Sequence, residues 1–101
     1  MSKKTHFIGI GGVGISALAR LMLHQGNDIS GTNDNPSPET LNELREKGVK
    51  ISLDQDQASL PDADQYIYSD AWLTMNPALI EAAKNKGVPV LSYAQALGQV
   101  V

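Results

Sequence analysis

The sequence predicts an α/β fold in three layers, with a five-stranded parallel sheet between helices on both faces. One observation is a weak internal repeat, in which residues 24–30, 46–52 and 85–91 each read as a helix end, a glycine and a short apolar strand. A glycine just past a helix supplies the left-handed residue that ends it, and the β-branched residues that follow favour a strand. The other observation is that helix start signals alternate with these strands, which predicts parallel pairing through crossover helices.

The strands and the first helix are predicted from apolar runs and their period. The strands are expected at 5–10, 28–32, 49–53, 65–69 and 89–91. The first helix, at about 13–25, carries apolar residues at helical spacing and so buries one face. Residues 55–64 are polar and hold a short turn of helix at most. The fourth strand is polar for a parallel strand, so we expect the loop after it to cover part of it.

The other helices are predicted from their start signals. Ser37-Pro38 and Asn76-Pro77 each combine a capping residue with a proline at the first helical position. The helix that starts at Ser37-Pro38 stops at Gly48. The last helix starts at Ser92, where Gln95 three residues later completes a capping box.

Composition limits the classes of protein to which the chain can belong. The 101 residues, 42% hydrophobic and 19% charged, suit one globular domain spanning 1–101. The formal net charge of −3 argues against a general nucleic-acid binder. The absence of cysteine excludes a disulfide scaffold, a thiolate nucleophile and a zinc ribbon. No apolar segment approaches membrane thickness and no targeting segment is visible, so we expect a soluble cytoplasmic protein.

The strongest signal for function is the run Gly9-Ile10-Gly11-Gly12-Val13-Gly14, between the first strand and the first helix. Here the glycines allow a tight turn, close approach of a ligand and packing of helix on strand. The N–H groups and partial positive charge of the helix N-terminus suit a phosphate. The glycine run is followed by Ile15-Ser16, whereas a loop that cleaves phosphates has a lysine at this place. Without that lysine, we expect a Rossmann-like site that binds a pyrophosphate and does not break it. The alternative is a glycine turn with a purely structural role.

Two further strand ends are candidate binding positions, because ligands of open parallel sheets sit beyond the carboxyl ends of the strands. After the second strand, Thr32 and Asn33 can pair with a base, although this segment also suits a turn. After the fourth strand, Ser69 can bind a phosphate or sugar, or satisfy backbone groups. Trp72 is expected to cover the sheet edge rather than a ligand.

No set of residues in the sequence suggests catalysis or metal binding. His6 and His24 are distant from each other and from any carboxylate cluster with metal-ligand spacing, so we expect a packed His6 and a solvated His24. The aspartates within 54–64 suit a solvated loop. No Ser/His/Asp arrangement has local support. We therefore expect no catalytic residue, metal site or cofactor in this chain.

The run 6–19, which includes the glycine motif, resembles the opening of the Mur ligases of peptidoglycan synthesis. That family typically has methionine where Ile15 stands. Later segments match in order: Ser30-Gly31-Thr32-Asn33 is similar to the family's Ser-Gly-Ser-Asp, and Ser69-Asp70-Ala71 to its Ser-Ser-Ala. The resemblance continues to the fifth strand and so covers nearly the whole chain.

The resemblance implies a first domain that binds UDP-N-acetylmuramic acid, with the pyrophosphate on the glycine loop and the uridine at the end of the second strand. Asn33 replaces the family's aspartate, and Asp70 adds a negative charge near the phosphate position. The implied phosphate positions are Gly11, Gly12, Val13 and Gly14, the uridine positions are Thr32 and Asn33, and the second wall is Ser69 and Ala71.

The resemblance also implies a longer enzyme with a central domain for ATP and Mg²⁺ and a C-terminal domain for the amino acid. Residues 1–101 are then expected to be the N-terminal domain of an ATP-dependent ligase that attaches L-alanine to the nucleotide sugar. This domain binds and does not catalyse, and the other two domains are its partners. Three alternatives stay open. The first is a ligase that attaches a tripeptide to the same nucleotide sugar in peptidoglycan recycling. The second is an NAD-binding module of a redox sensor or dehydrogenase, in which Asp34 supplies the acidic side chain for the ribose hydroxyls, and the third is a domain that only mediates protein contacts.

Overall fold

The computed structural model describes residues 3–33, 39–53 and 60–100, which form the predicted α/β fold. The strands are β1 (Lys4–Ile8), β2 (Asp28–Thr32), β3 (Lys50–Ser52), β4 (Gln65–Tyr68) and β5 (Val90–Ser92). The helices are α1 (Val13–His24), α2 (Glu39–Glu46), α3 (Trp72–Met75), α4 (Pro77–Lys84) and α5 (Tyr93–Val100). Within these described ranges, no helix has both the length and the apolar character needed to span a membrane.

The strands form one parallel sheet with the order β3-β2-β1-β4-β5. The chain moves outward from β1 through β2 and β3, and then crosses to the other side of β1 for β4 and β5. This reversal leaves a crevice between the loops that follow β1 and β4, at the carboxyl edge of the sheet. The predicted five-stranded parallel sheet is confirmed, and its order places the glycine loop at the reversal point.

Alternate side chains of the strands pack into two cores, one on each face of the sheet. Phe7 and Ile67 belong to the core formed with α1, α2 and α5, and Ile8 and Tyr66 belong to the core formed with α3 and α4. The helix layers therefore bury both faces of the sheet, and the predicted apolar face of α1 lies in the first core.

The helix ends follow the predicted signals wherever the structure describes them. The glycines expected to end helices all have positive φ: Gly26, Gly48 and Gly87. In the capping box of α5, Ser92 N donates to Gln95 Oε1 at 2.9 Å and Gln95 N donates to Ser92 Oγ at 3.2 Å. Asn76 caps α4 by accepting from Leu79 N at 3.3 Å. The expected start at Ser37-Pro38 lies outside the described residues.

The segment after β4 differs from the prediction. The sequence predicted a loop there, but Trp72–Met75 form the single turn α3, because Trp72 packs into the core with Ile8 and Leu79. Helices α3 and α4, rather than a loop, cover β4. The buried amide of Gln65 in β4 has a partner on the neighbouring strand, since Gln65 Nε2 donates to Thr5 Oγ1 at 2.9 Å. The turn of helix expected within 55–64 falls partly outside the described residues, and 60–64 contain no helix.

Candidate functional site

The glycine loop turns the chain from β1 into α1. Gly9 has a φ of +85°, which glycine adopts without strain, and its N–H donates to Thr32 O at 2.7 Å. A Cβ at Gly9 would collide with the indole of Trp72. The first glycine of the motif is therefore required both by the turn and by Trp72. The indole is 3% exposed and packs in the core with Ile8 of the middle strand, rather than over an edge strand of the sheet.

The N-terminus of α1 offers backbone N–H groups that have no acceptor in the described part of the protein. Gly12 is the N-cap residue, with extended backbone angles and no side-chain cap. Ser16 N makes the first intrahelical bond, to Gly12 O at 2.8 Å. Within residues 3–33, 39–53 and 60–100, the N–H groups of Gly14 and Ile15 have no acceptor. Together with the helix dipole, these donors favour an anion at this point.

A cleft of about 260 Å³ opens beside these N–H groups. The start of α1 forms one wall, through Gly12, Gly14 and Ile15, and the segment after β4 forms the other, through Ser69, Asp70 and Ala71. The cleft lies where the strand order reverses, which is where open parallel sheets bind ligands. The structure thus brings together four predicted positions on one cleft: Gly12, Gly14, Ser69 and Ala71.

Asn33 lies on the other side of the glycine loop and holds it to the end of β2. The side chain is 4% exposed, and Asn33 Oδ1 accepts from Gly11 N at 3.1 Å. Asn33 N donates to Ser52 O at 3.0 Å. A Cβ at Gly11 would lie 2.7 Å from Asn33 Nδ2, so the second glycine of the motif makes room for the amide of Asn33.

Thr32 is linked to a buried histidine beneath the loop. His6 Nε2 lies 2.8 Å from Thr32 Oγ1, and His6 Nδ1 lies 2.8 Å from Ser30 Oγ. His6 is 1% exposed, and this burial lowers its pKa from 6.5 to about 4. The ring is therefore neutral at pH 7, with one nitrogen donating and the other accepting. The packed His6 and the solvated His24 are both confirmed.

Two residues of the described cleft lining, Ile15 and Tyr93, were not predicted as binding positions. Tyr93, the first residue of α5, completes the lining. The available signal was its place after the carboxyl end of β5, the same argument that singled out Ser69 after β4. Asp70 is the single charged residue among the described lining residues, so the negative charge that the sequence placed near the phosphate position belongs to a residue of this cleft. Val13 contributes the first N–H group of α1.

The described lining of the cleft consists of neutral residues and one carboxylate. No group of three or more His, Cys, Asp or Glu side chains within them is arranged to hold a metal ion. The described lining contains neither lysine nor arginine. The donors at the start of α1 are therefore neutral backbone groups, of the kind that binds anions at a helix N-terminus.

The order of the sheet and the position of this cleft define the chain as a Rossmann-like domain with an uncharged glycine loop at the reversal point. Comparison with known proteins makes the assignment narrower. The family model described as "Mur ligase family, catalytic domain" matches residues 4–101, and the chain belongs to this family.

Individual relatives agree with the family assignment. A UDP-N-acetylmuramate–L-alanine ligase from Clostridium botulinum is 39% identical over 100 residues, or 99% of this chain. The crystal structure of UDP-N-acetylmuramate-alanine ligase from Thermotoga maritima is 31% identical with a TM-score of 0.83, covering 97% of this chain and 22% of that one. The UDP-N-acetylmuramate:L-alanyl-gamma-D-glutamyl-meso-diaminopimelate ligase from Neisseria meningitides has the same identity and TM-score, covering 100% of this chain and 32% of that one. The chain spans 21% of the length of the Clostridium relative.

Proposed function

We propose that this chain is the domain of a peptidoglycan-synthesising ligase that binds UDP-N-acetylmuramic acid, to which the complete enzyme adds L-alanine. The observation that carries the proposal is the cleft at the start of α1, where the N–H groups of Gly14 and Ile15 have no acceptor among the described residues and lie at the reversal point of the sheet. The Clostridium and Thermotoga relatives, whose names specify this substrate and amino acid, support the choice of ligand.

The pyrophosphate is proposed to lie on the N–H groups of Val13, Gly14 and Ile15, with the sugar towards the wall that contains Ser69 and Ala71. Gly11 takes part by making room, because its own N–H already donates to Asn33. The uridine is proposed beyond the end of β2, beside Thr32 and Asn33. These two side chains also make hydrogen bonds that position the glycine loop, to His6 and to Gly11. Substitutions of Thr32 or Asn33 should therefore alter both the loop conformation and the ligand affinity.

ATP and Mg²⁺ are proposed to bind outside this domain, in a protein as long as the relatives. Ile15-Ser16 follows the glycine loop, whereas phosphate-transferring loops place a lysine there to reach the β- and γ-phosphates. The domain then presents the nucleotide sugar, and the central and C-terminal domains of such a ligase supply the ATP site and the amino acid site. A nucleotide-sugar substrate fits the cytoplasmic location expected from the sequence.

A ligase that attaches a tripeptide to the same nucleotide sugar is a second candidate. One observation favours keeping it: the Neisseria structure matches this chain at the same 31% identity and 0.83 TM-score as the Thermotoga structure. The two candidates are separated by the amine that the complete ligase consumes, measured as ADP release with L-alanine or with the tripeptide. The NAD-binding alternative is not favoured, because the family match and the solved relatives point to ligases.

Replacement of Gly12 by aspartate tests the proposed site. Aspartate is a preferred N-cap residue and suits the extended backbone of Gly12. Its Cβ would lie 3.0 Å from Ile15 Cγ2, so that methyl group has to shift by a few tenths of an ångström. The carboxylate would then occupy the phosphate position. We expect Gly12→Asp to stay folded, because the new cap offsets the close contact with Ile15. It should weaken UDP-N-acetylmuramic acid binding at least about tenfold in calorimetric titration.

Gly12→Asn is the matched control, because it adds nearly the same volume without the charge. It should retain more affinity than Gly12→Asp, and NADH should not bind any of the three proteins. Equal affinity of wild type and Gly12→Asp for the sugar nucleotide would contradict the proposed position of the phosphate.

A further inference from the structure

Tyr93 and Gly14 form a close pair at the start of α1. A Cβ at Gly14 would lie 2.8 Å from Tyr93 Oη and 3.0 Å from Tyr93 Cζ. Gly14 does not have a positive φ, so its backbone conformation does not require glycine. The third glycine of the motif is needed because the phenol of Tyr93 occupies the space that a side chain would fill.

The surrounding structure fixes the phenol of Tyr93 in this position. The capping box between Ser92 and Gln95 sets the start of α5. The ring is half-buried and packs against the core that contains Ile15. Among the residues that the structure describes, none forms a hydrogen bond with the hydroxyl of Tyr93. A held hydroxyl therefore lines the cleft with its hydrogen-bonding capacity unused by the described protein.

The cleft has to attract an anion with neutral donors. Its described lining contains the carboxylate of Asp70 and no cationic side chain. The available donors are the N–H groups at the start of α1 and the hydroxyls of Ser69 and Tyr93. Hydrogen bonds to a charged acceptor are stronger than bonds between neutral groups, so each of these donors contributes appreciably to phosphate binding.

We propose that the hydroxyl of Tyr93 donates a hydrogen bond to the diphosphate of the bound nucleotide, beside the N–H groups of Gly14 and Ile15. This inference rests on the proposed function and deepens it. Tyr93 becomes a ligand-binding residue on the third element of the site, and Gly14 becomes the residue that admits it.

The test compares Tyr93→Phe with Tyr68→Phe, using UDP as the titrated ligand. Each variant removes one phenol hydroxyl, but Tyr68 packs against the opposite core and is outside the cleft lining. Tyr93→Phe keeps the ring and should keep the melting temperature of the free protein. Its UDP dissociation constant should rise about tenfold, whereas that of Tyr68→Phe should stay within about twofold of wild type.

The outcomes separate this inference from the function on which it rests. UDP binding by Tyr93→Phe that equals wild type, or an equal loss in Tyr68→Phe, overturns the role of Tyr93 and leaves the site intact. A folded wild-type protein that does not bind UDP overturns the proposed function and the role of Tyr93 together. Gly14→Ala is the second variant, since its methyl group must displace the phenol. In that background Tyr93→Phe should cause a smaller further loss, because the two changes remove the same contact.

Discussion

The buried His6 makes the stability of the domain depend on pH. Its two ring nitrogens bond the hydroxyls of Ser30 and Thr32, and burial lowers its pKa to about 4. Protonation therefore favours the unfolded chain, in which the pKa is 6.5. The stability contribution of the neutral ring is fully present above pH 6.5 and is lost as the pH falls towards 4.

The size of this effect follows from the two pKa values. One pKa unit corresponds to about 1.4 kcal/mol, so the difference between 6.5 and about 4 amounts to roughly 3 kcal/mol at full protonation. At pH 5 the unfolded histidine is almost fully protonated and the folded one is mostly neutral. The expected loss in the free energy of unfolding between pH 7.5 and pH 5 is then about 2 kcal/mol.

Urea unfolding at pH 7.5 and pH 5, followed by the fluorescence of Trp72, measures this loss. His6→Gln removes the titration and keeps an amide that can bond a hydroxyl, so its pH-dependent loss should be smaller than that of wild type by about 2 kcal/mol. His24→Gln is the matched control, because His24 is exposed, and it should behave as wild type. Equal losses in wild type and His6→Gln would refute the account of His6.

Three further changes test the loop and the cleft. Asp70→Ser should tighten UDP binding about fivefold at low salt, because it removes a negative charge from the proposed phosphate site. Calorimetry in 0.5 M salt should show a smaller gain in affinity. Gly9→Ala should lower the free energy of unfolding by at least about 2 kcal/mol in urea titrations, since it strains a positive φ and displaces Trp72. Asn33→Ala should cost about 1–3 kcal/mol in the same titrations, because Gly11 N loses its acceptor. Weaker UDP binding by Asp70→Ser would contradict the proposed effect of its charge. Wild-type stability of Gly9→Ala or of Asn33→Ala would contradict the role given to that residue in the glycine loop.

The sequence was informative where the signal is local. Gly26, Gly48 and Gly87 end their helices with positive φ, and the capping box at Ser92 forms as predicted. These features need only a few neighbouring residues, so the chain specifies them without its tertiary structure. The alternation of helix and strand that they mark was sufficient to predict the parallel sheet.

The sequence was less informative where distant segments meet. The turn α3 has no side-chain cap and exists because Trp72 packs against Gly9 and the core, more than sixty residues away in the chain. Tyr93 reaches Gly14 only through the parallel pairing of β4 and β5 and the direction of α5. The hydroxyl partners of His6 also come from a neighbouring strand. Propensity and period carry no information about such contacts.

The central claim is that the cleft at the start of α1 binds a muramyl nucleotide. Its most direct test is an amide-shift NMR titration of this chain with UDP-N-acetylmuramic acid and, separately, with NADH. We predict saturable shifts at residues 11–14, 32–33 and 69–71 with the sugar nucleotide and none with NADH. Shifts at these positions with NADH alone, or sugar-nucleotide shifts confined to the amino ends of the strands around Lys4 and Lys50, would contradict the claim.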